Sequence, residues 1–210
     1  SMAALDADVI CLQETKIQAG QFEDGLEGYH AYYNYADGEY GMSALYKSKE
    51  DVKEYICGYA RAMLKAGFLY STSEEHEAFI AFKSSKESLG FGAVSELIKA
   101  VFRTMRFRDM IKLVKLAKKG GESYEDSLKK AKKPYVFVGM LVVRQKYQGQ
   151  GYMRKVLDIA YEEGKKLGCP VLLDTDAALK RDKYVHLGMK NVRTRKFDEG
   201  IVLYDLAKED

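Results

Sequence analysis

Tryptophan is absent from this chain, proline occurs only twice and cysteine three times. So little proline excludes collagen-like or proline-rich extended architectures. No run of ~18 apolar residues exists, so no membrane-spanning helix is expected. Cys11, Cys57 and Cys169 are odd in number and lack C-x-x-C spacing, which argues against a disulfide framework or a zinc site. A reducing cytoplasm is the expected compartment. The opening Ser1-Met2-Ala3-Ala4 lacks the basic flank and apolar stretch of a secretory signal, and reads as a scar before a truncated start. No internal repeat and no Pro- or Ser-rich linker divides the sequence.

What is present suits a folded domain. Apolar residues make up 47% and charged residues 31% of 210, enough for one full core or two small domains. The net charge of +3 is unevenly spread. Residues 1–47 carry eight acids against Lys16 and Lys47, residues 48–102 are near neutral, and residues 103–133 carry eleven bases against four acids. A basic block of this kind attracts phosphates in some proteins. Its commoner meaning is the solvated face of amphipathic helices, and that reading is kept here.

Val9–Gln13 reads as a short strand, and residues 20–47, rich in Gly and Tyr, as loops. Ser48 suits the N-cap of a helix whose apolar positions include Val52, Ile56, Tyr59, Met63 and Leu64, ending near Gly67. Phe68–Ser71 and Ala78–Phe82 read as strands joined by an acidic turn. Helical spacing returns from Glu87 to Lys119 and stops at Gly120-Gly121. Tyr135–Val143, almost wholly apolar, reads as a central buried strand. A helix follows over 153–167 with Gly168 as its cap, then a strand over Pro170–Thr175 and a short helix over Leu179–Leu187. The strands Asn191–Phe197 and Ile201–Leu206 pair through Asp198-Glu199-Gly200. The expected fold class is α/β (α+β), a mixed sheet flanked by helices.

The richest stretch is the end of the central strand, Val142-Val143, running into Gln148-Gly149-Gln150-Gly151-Tyr152-Met153. A glycine-bearing turn that opens a helix exposes successive N–H groups beside the positive end of the helix dipole, a site for a diphosphate. It is neither a phosphate-binding loop with Gly-Lys-Ser/Thr nor a three-glycine dinucleotide fingerprint. With Lys183-Tyr184-Val185-His186-Leu187-Gly188-Met189 and the terminal hairpin downstream, the sequence resembles the GNAT N-acetyltransferases over roughly residues 48–210. That family carries a Gln/Arg-x-x-Gly-x-Gly/Ala turn and a Leu-Tyr-x-x-x-Gly-Phe-like segment. Two departures stand out. Met153 occupies the last small position of the turn, where it would either crowd the pyrophosphate or change the approach of the helix, and Lys180 and Arg181 stand where an Asn often precedes the tyrosine.

The resemblance implies a mostly antiparallel acyl-CoA N-acyltransferase sheet and acetyl-CoA as cosubstrate. It implies transfer of the acetyl group to a primary amine of a small molecule or protein. Main-chain N–H groups around Val142 and Val143 would bind the acyl carbonyl, Gln148, Gly149, Gln150, Gly151, Tyr152 and Met153 the pyrophosphate, and Tyr184 would protonate the departing thiolate. Asp174 and Asp176 leave a central strand and are candidates for a general base, but capping of the next helix is the expected role of one or both. His186 reads as an ordinary helix residue and Cys169 as structural. The segment over 86–133 is expected to form a wall or lid on the acceptor side.

The first 47 residues differ in kind. Leu5–Gln18 with Glu14, and Gly28–Ala36, resemble exonuclease III-type apurinic endonucleases. That resemblance implies a Mg²⁺-ligating role for Glu14, yet the other ligand motifs of the fold are missing, and a lone carboxylate rarely holds Mg²⁺. A nuclease-like fragment over 1–47 ahead of an acetyltransferase domain over 48–210 is therefore expected, with no metal site, no membrane and no nucleic-acid partner. The alternatives are a Mg²⁺-dependent DNA-repair nuclease and a non-catalytic acyl-CoA-binding domain.

Overall fold

The computed structural model describes residues 49–104, 121–197 and 202–209. The strand and loops expected over 1–47, the Ser48 cap and the turn 198–200 lie outside the described residues, as do residues 105–120 of the basic block 103–133.

Helix α1 (Lys49–Ala66) ends at Gly67, whose φ of +78° suits glycine. Its apolar spacing turns Cys57, Ala60 and Met63 inward. The hairpin β1 (Leu69–Ser71) and β2 (Ala78–Ser84) follows, then α2 (Phe91–Thr104). A short helix α3 (Tyr124–Lys130) was not legible from apolar periodicity, because it buries only Leu128. Its signal was the capping box: Ser123 accepts from the Asp126 N–H, and Asp126 accepts in return from the Ser123 N–H.

The central strand β3 (Val136–Val143) is buried along most of its length, as its unbroken apolar run requires. It leads through a single 3₁₀ turn (Gln145–Tyr147) into α4 (Tyr152–Leu167). Then come β4 (Val171–Thr175), α5 (Ala178–His186), β5 (Lys190–Lys196) and β6 (Val202–Lys208).

The six strands form one sheet in the order β1-β2-β3-β4-β6-β5. Among the described residues only β3 and β4 run parallel; every other pair is antiparallel, so the mixed, mostly antiparallel sheet is as expected. Helix α4 covers one face, where Val156, Leu157 and Ala160 meet Val136, Val138, Val171, Leu173 and Leu206. At Gly164 the helix comes so close that an added Cβ would lie 2.5 Å from Val171 Cγ2. Helices α1 and α2 cover the other face over β2 and β3, and α3 covers it over β4 and β6 through Leu128, Leu172 and Ala207. No helix among the described residues is long and apolar enough to cross a membrane.

Candidate functional site

The sheet opens between its two parallel strands. Pairing of β3 with β4 is confined to Val136 with Val171 and Phe137 with Leu172. Beyond that point β3 continues for six residues on β2 alone, while β4 turns to β6. A gap therefore widens toward the C-terminal ends of β3 and β4, the end at which ligands enter open α/β sheets.

Which groups of β3 face the gap follows from the ladder. Arg144 donates its N–H to the Glu77 carbonyl at 2.9 Å, so Val143 and its partner Ala78 form a non-hydrogen-bonded pair. The Ala78 carbonyl accordingly turns away from β3 and accepts from the Thr72 N–H at 3.1 Å. Alternation then sends the Val142 N–H toward β2 and the Val143 N–H toward the gap. Of the two donors expected from sequence, it is Val143 that faces the open side.

The turn after β3 presents the other candidates together. Gly149 and Gly151 have φ of +74° and +81°, left-handed values that L side chains rarely adopt. An added Cβ at either would meet open space, so backbone conformation and not crowding requires glycine there. Among the described residues, the N–H groups of Gly149, Gln150, Gly151, Tyr152 and Met153 have no acceptor, whereas those of Arg154 and Lys155 close onto the Gly151 carbonyl. Gln148 donates its side-chain amide to the Val143 carbonyl at 3.3 Å, and Gln150 donates to the Lys146 carbonyl at 2.7 Å. Met153 packs its partly buried side chain against the main core.

Positive charge surrounds the turn. Arg144, Lys146, Arg154 and Lys155 flank it, with Lys146 Nζ 5.0 Å from the Tyr147 ring centroid and Lys155 Nζ 4.3 Å from that of Tyr152. Arg154 and Lys155 make no ion pair among the described residues. Such charges favour an anion at the N-terminus of α4.

Tyr184 lies on α5, only 2% exposed, within the same core that α4 closes. His186 is exposed, and Cys169 is buried in that core.

Across the sheet from α4, a small cleft between α3 and the strands is lined by Ser123, Tyr124, Glu125, Asp174 and Asp205. Asp205, 4% exposed, accepts from the Tyr124 N–H at 2.8 Å and from Arg195 Nε at 2.9 Å. Arg195 also stands 3.6 Å from Asp174. Desolvation nevertheless raises Asp174 to about 6, with Arg195 pulling the other way. Sequence reasoning missed this network, since Arg195 and Asp205 meet only when β5 and β6 pair.

The expectation that Asp174 or Asp176 caps the next helix is corrected. The N-cap of α5 is Ala177, with no side-chain capping bond, and Asp174 is the fourth residue of β4 with its carboxylate toward Arg195.

Residues 117–187 match the model of the acetyltransferase (GNAT) family. The chain carries a GNAT acetyltransferase domain. The matched stretch takes in β3, the glycine turn, α4, β4 and α5. That family uses acetyl-CoA. Among solved structures, the chain is similar to the ribosomal-protein-S18-alanine N-acetyltransferase from Escherichia coli, at 23% identity with a TM-score of 0.31, covering 35% of this chain and 53% of that one. It is also similar to a mosquito arylalkylamine N-acetyltransferase like 5b, at 14% identity with a TM-score of 0.49, covering 81% and 87%. A 49-residue stretch, 23% of this chain, is 49% identical to an exodeoxyribonuclease of Bacillus subtilis (strain 168). The chain spans 19% of that nuclease and about half of the Escherichia coli enzyme.

Proposed function

We propose that the chain is an acetyl-CoA-dependent N-acetyltransferase whose acceptor is a primary amine of a small molecule or a protein. The observation that carries this reading is the joint placement of five N–H groups in the turn 149–153 that have no acceptor among the described residues and a sixth, that of Val143, at the edge of the gap. The diphosphate of CoA lies on Gly149–Met153, where the amides and the dipole of α4 meet its charge. The pantetheine arm lies along the open edge of β3, and the Val143 N–H holds the acyl oxygen as negative charge develops on it.

The amine nitrogen forms its bond to the acyl carbon while the carbon–sulfur bond breaks. Tyr184 donates its hydroxyl proton to the sulfur, a role suited to a phenol because it stays protonated at neutral pH. The acceptor approaches from the face carrying α1, α2 and α3, opposite α4. The segment 86–133 supplies α2 and α3 to that side as a wall.

The test is titration of CoA into the purified full chain, followed by thiol release from acetyl-CoA over a panel of primary amines. Binding with turnover supports the reading, and binding without turnover on any amine favours an acyl-CoA-binding module. Incision of an abasic-site duplex with Mg²⁺ would instead favour the nuclease to which the 49-residue stretch is similar.

A further inference from the structure

Two aspartates are wholly buried among the described residues, and they are treated very differently. Asp205 is met by a guanidinium and a backbone N–H. Asp176 is 6% exposed, and neither of its carboxylate oxygens has a hydrogen-bond partner among the described residues. Its neighbours fill the local structural roles without it. Thr175 Oγ1 accepts the Ala177 N–H at 3.4 Å, and Ala177 is the N-cap of α5. Burying a carboxylate without a partner is costly, and native folds keep such a group where something else answers it.

The position of Asp176 says what that is. It is the first residue beyond β4, at the same end of the parallel pair as Val143 and the glycine turn, where β3 and β4 are no longer paired. It also directly precedes the helix that carries Tyr184. A lone carboxylate is a poor site for a divalent cation, which needs several oxygen ligands. A primary ammonium brings three donors and a single charge, and suits two unfilled carboxylate oxygens.

Resting on the acetyltransferase reading above, we propose that Asp176 is the acceptor site for the substrate's primary ammonium. It holds that group at the mouth of the gap and takes its first proton, freeing the lone pair that attacks the thioester. The nitrogen–carbon bond then forms, the carbon–sulfur bond breaks, and the second proton lost from nitrogen balances the one that sulfur gains. Acceptors are accordingly cationic amines, not amides, alcohols or amines already neutralised by a neighbouring anion.

The experiment compares thermal melts of the full chain and of Asp176→Asn in methylammonium chloride and in tetramethylammonium chloride at equal ionic strength. The second salt carries the same charge without an N–H donor. The wild-type chain should melt ~1 °C or more higher in methylammonium, through binding to the folded state alone. In Asp176→Asn that difference should vanish, and the variant without either salt should melt no lower than the wild type, having lost a buried unpaired charge.

Equal melting of the wild type in both salts overturns the proposal. So does an Asp176→Asn chain that melts several degrees lower, which marks the carboxylate as structural, or one that keeps the methylammonium effect. CoA titration on the same samples reports the other reading separately. If neither chain binds CoA, the acetyltransferase assignment fails while the salt comparison still decides Asp176.

Discussion

The side-chain amide of Gln148 donates to the carbonyl of Val143 at 3.3 Å, tying the phosphate-type turn to the strand residue whose own N–H faces the gap. A strand residue points its N–H and C=O to the same side, so one bond fixes the turn against the strand edge proposed above to receive the acyl oxygen. The two ends of a CoA arm, diphosphate and thioester, would thus meet groups held in one register.

That arrangement makes the turn testable at Gly151, where φ is +81° and a Cβ meets open space. Asn and Asp both tolerate left-handed backbone better than other side chains, so either variant should fold. Gly151→Asp adds a negative charge against the diphosphate and should weaken CoA binding tenfold or more, roughly 1.4 kcal/mol. Gly151→Asn should weaken it much less. Equal affinities for the two variants, measured by calorimetry, would place the diphosphate elsewhere.

Tyr184→Phe removes a hydroxyl and keeps the ring in its packing, at a stability cost of ~1 kcal/mol. Turnover should fall by up to ~10²–10⁴-fold while acetyl-CoA affinity is retained. Unchanged turnover at every pH would make Tyr184 a packing residue of the core it shares with α4.

Asp174 gives a pH signature. Burial raises it to about 6 in the fold from an ordinary value of 3.8. A raised carboxyl binds its proton more tightly when folded, so its contribution to stability is full below the ordinary value. It is lost as pH rises through about 6. Asp174→Asn removes that loss. The stability of the wild type relative to the variant should therefore fall between about pH 4 and about pH 6 and stay level above. Thermal melts of both chains across that window check the sign, and a rising difference would contradict it.

Much of the fold was readable because the signals were long. Tyr135–Val143 has no polar interruption, and the apolar positions from Met153 to Leu167 repeat at three and four before Gly168. Helix α3 was too short for periodicity, and only its capping box marked it. The choice between Val142 and Val143 turned on an irregularity of pairing: Ala81 faces Met140 and Phe82 faces Val138, leaving Gly139 over and shifting the alternation. Asp176 looked like a cap because aspartate after a strand and before a helix usually is one. Only the path of the chain at the end of β4 shows its oxygens buried and, among the described residues, unmet.

Glu14 separates the domain from the nuclease-like stretch. Glu14→Ala should leave CoA affinity and acetyl transfer nearly unchanged, and Mg²⁺ should not shift the melting of either chain. A Mg²⁺-dependent shift present in the wild type and lost in Glu14→Ala would give residues 1–47 a metal site of their own.

The central claim is that the glycine turn and the gap beside β3 hold CoA. Calorimetric titration of CoA into the purified full chain tests it most directly, with Gly151→Asp alongside. Saturable binding of one CoA per chain, weakened tenfold or more in the variant, is the predicted result. No binding to the wild-type chain, or binding of equal strength to both, would contradict it.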